Sequence, residues 1–252
     1  MHGILPRLFA RIWPVEKRKR IEEWVLLVFL YLLFVSLPSL SGFPFSEQVS
    51  LRFGFRLAFA FLLIVFLSPK WGKPGRFAFR YLPFFILLPI SNWLVVAVSG
   101  KLGAFHFEYQ DGLRLVDLLL TVFLEETIFR AIPLSSLKDE KTKIAWIFVS
   151  SLVFALCHLA QGSWTQGVYC FGLGLALASL YVYGGGIWFS ALLHFLFNFF
   201  NNEVYGWFEG GGSLRLFYLV NILVGAIFAL YYLALLLIRL KRAKSSRRCN
   251  HR

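Results

Sequence analysis

Hydrophobic positions along this chain gather into eight runs separated by short polar or basic segments. The runs are Trp24–Leu37, Leu51–Leu67, Tyr81–Ser99, Leu113–Leu137, Ile144–Ala160, Gly167–Tyr183, Ile187–Phe200 and Phe217–Ile238. Each is expected to form a helix that crosses a membrane. Several are shorter than the ~20 residues usually needed to span the hydrocarbon core. A short helix can still cross where the bilayer thins or its polar ends snorkel. The Gly184-Gly185-Gly186 joint separates the sixth run from the seventh.

Composition supports this pattern. The chain has 252 residues, of which 58% are hydrophobic and 15% charged, and its mean hydropathy is +0.68. These values predict an all-α polytopic membrane protein rather than a soluble domain. Residues 1–252 are expected to form a single membrane domain, because no segment between the runs is long enough for a second core. The first run follows a long basic stretch and has no small-residue cleavage site after it. It therefore reads as a retained helix, not a cleaved signal. The abundant Phe and other aromatic residues are expected to be mostly lipid-facing bulk, with the many Trp and Tyr near span ends as interfacial anchors.

The three cysteines, Cys157, Cys170 and Cys249, offer neither a disulfide framework nor metal-knuckle spacing. Cys249 stands fourth from the last residue, where a prenylation signal would place it, but polar Asn250 and His251 follow, and the chain is not read as a prenylation substrate itself.

A net charge of +13 raises nucleic acid as a partner, but the distribution of charge argues against it. Most of the 26 Lys and Arg residues adjoin hydrophobic runs on one predicted side. They are Arg7, Arg11 and Lys17 to Arg20; Lys70, Lys73, Arg76 and Arg80; Lys138, Lys141 and Lys143; and Arg239 to Arg252. This bias places both termini in the cytoplasm. Residues 1–23 form a basic N-terminus and 239–252 a basic tail, both suited to anionic lipid headgroups. Glu22 and Glu23 adjoin the basic run, and ion pairing in water accounts for them. Short loops without targeting signals fit a prokaryotic plasma membrane.

Three polar clusters lie inside the apolar runs. The first is Glu125-Glu126-x-x-x-Arg130. Positions i and i+4 share a helix face, so Glu126 and Arg130 can pair. Glu125 lies ~100° away around the axis and is left to face another helix or a wet cavity. Two adjacent carboxylates in a low dielectric resist joint ionisation unless a cation compensates. Arg130 can fix one, leaving the other to serve as a general base. A structural ion pair needs only one of the two carboxylates.

The second cluster is Phe154-x-x-x-His158 and the third is His194-x-x-x-Asn198. In the former, the aromatic ring can shield and orient an imidazole that holds water or a metal. In the latter, an imidazole and an amide N–H₂ on one face can donate to a single oxygen, as an oxyanion site requires. Each has a bland alternative: a satisfied core histidine for one, interhelical hydrogen bonding for the other. A charged side chain at the bilayer centre costs at least ~2.5–3.5 kcal/mol. Three such clusters on consecutive segments are hard to explain as independent glue.

The ordered set resembles the CAAX protease and bacteriocin-processing family of intramembrane endopeptidases, to which the Ras- and a-factor-converting enzyme belongs. The family pattern is Glu-Glu-x-x-x-Arg, then Phe-x-x-x-His, then His-x-x-x-Asn. Here it reads Glu125 to Arg130, Phe154 to His158 and His194 to Asn198. The resemblance covers a core of roughly residues 113–202.

It implies an α-helical membrane peptidase with Glu125 as general base and His158 sharing the activated water. His194 and Asn198 would stabilise the oxyanion, with Glu126, Arg130 and Phe154 in support. The substrate implied is a membrane-anchored or lipidated protein, a CAAX tripeptide in eukaryotes; bacterial relatives are linked to bacteriocin maturation and self-immunity.

The residues allow two cofactor readings. Glu125, His158 and His194 could bind zinc with an open fourth position. The His-Glu-x-x-His spacing is absent, however, and a metal-free mechanism is the favoured expectation. The alternatives to a peptidase are a non-catalytic scaffold or immunity protein, and a proton-coupled transporter. The absence of paired halves in the sequence speaks against the transporter.

Simple heights pose a difficulty. At ~1.5 Å per residue, Glu125 falls near mid-membrane, His158 toward the outer end and His194 toward the inner end. Tilts or kinks must bring them together, and Ile132-Pro133 and Gly184 to Gly186 are the stretches able to supply them.

Overall fold

The computed structural model of the chain describes residues 15–40, 45–67, 82–98, 109–135, 137–161, 164–203 and 214–249. The side chains of Lys17 to Arg20, the cations Lys70, Lys73, Arg76 and Arg80, and the side chain of Cys249 lie outside that description.

Every element among the described residues is helical. Helix α1 is Val15–Leu40, α2 is Phe45–Leu67, α3 is Pro83–Val98 and α4 is Tyr109–Glu126. A π-helical turn, Thr127–Ala131, continues α4 into one last turn, Ile132–Leu134. Then follow α5, Glu140–Gln161; α6, Trp164–Tyr183; and α7, Gly186–Asn198, which ends in a second π-turn, Phe199–Glu203. Helix α8 is Leu214–Cys249. Each predicted run thus has a helix, but the boundaries move outward at both ends of the chain. Helix α1 starts directly after Pro14, and α8 carries the basic tail as helix, since no Gly or Pro interrupts residues 226–249.

Three stretches among the described residues are long and apolar enough to cross a membrane: Glu140–Leu159, Gln166–Tyr183 and Leu219–Ala243. Phe85–Val95 and Gly186–Asn201 are shorter apolar stretches. Helix α4 falls outside this set for a physical reason, because it carries Asp117, Glu125 and Glu126 and breaks into a π-turn holding Arg130. The outward faces are greasy. Val25, Leu26 and Phe29 on α1, Phe61 on α2, Leu94 and Val98 on α3, and Leu230 and Leu237 on α8 are all exposed. In water such a surface would aggregate; in lipid it is the expected exterior.

Helix α6 is the central element and packs on α5, α7 and α8. Leu173 and Leu175 to Leu180 are buried without interruption, as befits a helix apolar on all sides. Glycine lets α8 come close: a Cβ on Gly172 would stand 2.7 Å from the Gly225 carbonyl oxygen, and one on Gly225 would stand 2.7 Å from the Tyr169 Cα. At the end of α6, Gly185 takes φ 143° in the tight joint to α7, a conformation closed to residues with a Cβ.

Two polar knots fasten the bundle. Asn92 on α3, Asn201 on the second π-turn and Asn221 on α8 are buried together. Asn92 donates to both partners, at 3.2 Å to Asn221, and Asn221 donates back at 2.9 Å. At one end of the bundle, the Tyr183 hydroxyl donates to Glu140 at 2.8 Å. Lys143 pairs with the same Glu140, and the Arg239 guanidinium lies 3.8 Å from the Tyr183 ring centroid. The start of α5, the end of α6 and the basic part of α8 therefore share one side, as the charge bias predicted.

Phe29, Phe61, Phe148, Phe200, Trp164 and Trp188 are exposed as expected, but other aromatic residues depart from expectation. Trp24, Tyr31, Phe129, Phe154, Phe197 and Tyr232 are core residues, not lipid-facing bulk. Trp24, Tyr31, Phe129 and Phe154 surround the buried Glu125–Arg130 stretch, where large rings exclude water while their edges and hydroxyls still engage polar groups.

Candidate active site

Helix α4 brings the first cluster to the centre. Thr121 and Glu125 follow Asp117 at four-residue steps, so one face of α4 is polar along its length. Asp117 forms an ion pair with Arg56 of α2. Glu125 and Glu126 end the α-helical part, and the π-turn follows at once. Its widened backbone shows in the Ile132 N–H, which donates to the Thr127 carbonyl five residues back. Pro133 lies just beyond; it lacks an N–H and its ring crowds the carbonyl four residues earlier. The π-turn and Pro133 fall at one of the two stretches expected to relieve the mismatch of heights. Helices α1, α5, α6 and α7 all touch the π-turn.

Helix α7 supplies His194, which closes the gap to both carboxylates. Its Nδ1 is 2.9 Å from Glu126 Oε1 and its Nε2 is 3.6 Å from Glu125 Oε2. The Ser190 hydroxyl, one turn before His194, donates to Glu126 Oε2. A carboxylate can only accept, so Nδ1 carries the proton toward Glu126 and Nε2 is the nitrogen turned toward Glu125. The contact at 3.6 Å is too long for a hydrogen bond and leaves Glu125 and Nε2 facing each other as neighbours.

Arg130 sits behind Glu126 and is fully buried. Its Nε lies 3.7 Å from Glu126 Oε2, and its guanidinium carbon stands 4.3 Å from the Phe154 ring centroid. The predicted pairing of Glu126 with Arg130 is present, but Glu126 is shared, with its shorter contacts going to His194 and Ser190. None of the three guanidinium nitrogens makes a hydrogen bond, so Arg130 is held by charge and by the ring face.

Phe154 on α5 is the hub of the second cluster. Its ring centroid is 4.3 Å from that of His158 and 5.9 Å from that of His194. It also meets Phe129 edge-on at 5.3 Å. His158 Nδ1 is 2.9 Å from the Phe154 carbonyl oxygen. A carbonyl only accepts, so this bond places the proton on Nδ1 and leaves Nε2 with a free lone pair.

Both imidazoles thus pack against the same ring. His158 and Asn198 are half-buried, whereas Glu125, Glu126, Arg130 and His194 are at most 5% exposed. No group of three His, Cys, Asp or Glu side chains among the described residues is gathered closely enough to hold a metal ion. The set Glu125, His158 and His194 does not form such a group as arranged.

Two partners of this site went unread in the sequence. Ser190, His194 and Asn198 form a single i, i+4, i+8 stripe, so the signal for Ser190 was present in the spacing. The other is Tyr31 on α1, whose hydroxyl donates to Glu125 Oε1 at 2.6 Å. It stands in an apolar run without a polar neighbour to mark it.

Residues 112–200 match the model of one protein family, described as Rce1-like, type II CAAX prenyl endopeptidase. The match spans α4 to the end of α7 and contains all three motifs, so the resemblance drawn from them holds over that segment. Neither curated proteins nor solved structures gave a significant match. A family of membrane peptidases is thereby the class to which the polar core is similar.

Proposed function

We propose that the chain is an intramembrane endopeptidase that hydrolyses a peptide bond of a membrane-anchored or lipidated protein. The observation that carries the reading is His194 held between Glu125 and Glu126, from helices far apart in sequence. Structural pairing would require one carboxylate; two carboxylates flanking one imidazole make a site that can move a proton.

In this mechanism water attacks the scissile carbonyl while Glu125 takes its proton, and His158 Nε2 accepts the second hydrogen of that water to orient it. The tetrahedral oxyanion accepts hydrogen bonds from the Asn198 amide and from His194 Nε2, whose ring takes part as the imidazolium with a proton on each nitrogen. Glu126, Ser190 and Arg130 hold the ring with Nδ1–H on Glu126. Collapse of the intermediate breaks the C–N bond, and Glu125 returns its proton to the leaving amine. Water accounts for every atom added, and no metal is needed.

An apolar groove of about 520 Å³, lined by residues that include Phe53, Leu57, Leu119, Leu192 and Phe195, opens between α2, α4 and α7. Phe195 follows His194 directly, which suits a substrate presented from the lipid. Both termini face the cytoplasm of a prokaryotic cell, with the basic helix ends on anionic headgroups.

The test is cleavage of fluorogenic farnesylated and unmodified membrane peptides by the purified protein in detergent, beside Glu125→Gln, each with and without a zinc chelator. Cleavage by the wild type alone, surviving chelation, is expected. Activity lost to chelator and restored by zinc overturns the metal-free mechanism. A cellular phenotype that survives both Glu125→Gln and His158→Ala makes the chain a scaffold.

A further inference from the structure

Helix α1 lies outside the segment that matches the peptidase family, yet two of its side chains reach the heart of the site. Tyr31 is 3% exposed and its hydroxyl donates to Glu125 Oε1 at 2.6 Å. Two turns earlier, the Trp24 indole N–H donates to the Ile128 carbonyl in the π-turn, at 2.8 Å. Residues 24, 28 and 31 share one helix face, and all three are buried. Each of these bonds joins α1 to a different point of the Glu125–Ile128 stretch.

We propose that Tyr31 is a positioning residue for Glu125, and that α1 completes a site its own family match does not contain. The inference rests on the peptidase reading, in which Glu125 is the base.

The geometry favours this role over plain packing. Glu125 has two carboxylate oxygens with different neighbours. Oε1 takes the Tyr31 hydroxyl, and Oε2 faces His194 Nε2. A bond on one oxygen fixes the carboxylate plane and leaves the other oxygen for water. The phenol ring is itself locked, edge-on to Phe129 at 6.0 Å and tilted against Phe59 of α2 at 6.5 Å. Such a side chain has no freedom to release the carboxylate without moving α1. A base held within a narrow range of angles is what the attack of one water requires. A phenol meets that need inside lipid, because its ring buries well and its hydroxyl brings no charge.

Two replacements test it. Tyr31→Phe removes only the hydroxyl. A fluorinated tyrosine at the same position keeps the hydroxyl and adds a probe. For Tyr31→Phe, kcat is expected to fall about 10–100-fold with KM within about twofold, the span of one hydrogen bond to a charged group. The fluorinated protein should keep kcat within about twofold of wild type. Its fluorine resonance should move when Glu125→Gln is added. That shift is read without activity, and it remains available if Tyr31→Phe fails to fold.

A wild type that cleaves, beside a Tyr31→Phe that cleaves equally well, overturns the positioning role and leaves the peptidase standing. An unmoved fluorine resonance overturns it as well. A wild type that cleaves no peptide, with a resonance that does move, overturns the peptidase reading and takes the catalytic purpose of the contact with it.

Discussion

His194 Nδ1 stands 2.9 Å from Glu126 Oε1, across 68 positions of sequence. The bond ties α7 to the end of α4 at the one place where α4 departs from α-helical winding. Glu126 therefore answers to three groups at once, His194, Ser190 and Arg130, all buried.

Arg130→Ala leaves Glu126 buried without its compensating cation. The expected loss is ~3–5 kcal/mol, typical of a broken buried pair. Less protein should reach the membrane, and its melting temperature in detergent should fall. Normal membrane levels with activity gone would mean that His194 and Ser190 hold Glu126 without help.

Ser190→Ala deletes one donor to the same carboxylate and leaves the others. A hydrogen bond to a charged group is worth ~1.5–3 kcal/mol. Thermal unfolding should report a loss in that range, smaller than for Arg130→Ala. A loss equal to that of Arg130→Ala would mean that the hydroxyl supports Glu126 as much as the guanidinium does.

Asn92→Leu should damage the fold through the buried asparagine knot. It removes the amide that Asn201 and Asn221 share, so each loses hydrogen bonding inside the buried cluster. A buried hydrogen bond lost in this way costs ~1–3 kcal/mol. Unfolding should occur at lower temperature. In the proteolysis of the folded protein, new cuts are expected in α3 or α8 before any appear in α5 or α6.

Gly172→Val places carbon where the Gly225 carbonyl already lies. Overpacking of this kind costs ~1–3 kcal/mol, and for a chain of this size each kcal/mol moves the melting temperature by ~2–4 °C. A variant that melts like the wild type would show that α6 and α8 can part without loss.

The helices were legible because apolar runs of this length leave few other structures, and the three motifs were legible because i, i+4 spacing survives in any helix. The π-turn was not legible, since nothing in Thr127 to Ala131 differs from ordinary helical sequence. Only Pro133 hinted at a break, and its effect falls upstream. Tyr31 was hidden for a related reason. A phenol in an apolar run has no local sign that separates a lipid-facing anchor from a buried donor, and its partner lies 94 positions away. The buried rings among the aromatic residues were missed on the same ground: composition reports how many rings there are, not which way the helix turns them.

The π-turn also sets a tolerance on chain length. It is slack wound into one helix, so the backbone before Thr127 and the backbone after Ala131 run out of phase with each other. The i→i+5 turn takes up one residue more than an α-helical turn, so removing one residue there would let the winding return to α-helical and leave Pro133 and Leu134, both buried, close to their present side. A change of one residue in length is therefore better absorbed between Glu126 and Pro133 than in a regular helix, where it would turn all that follows by ~100°.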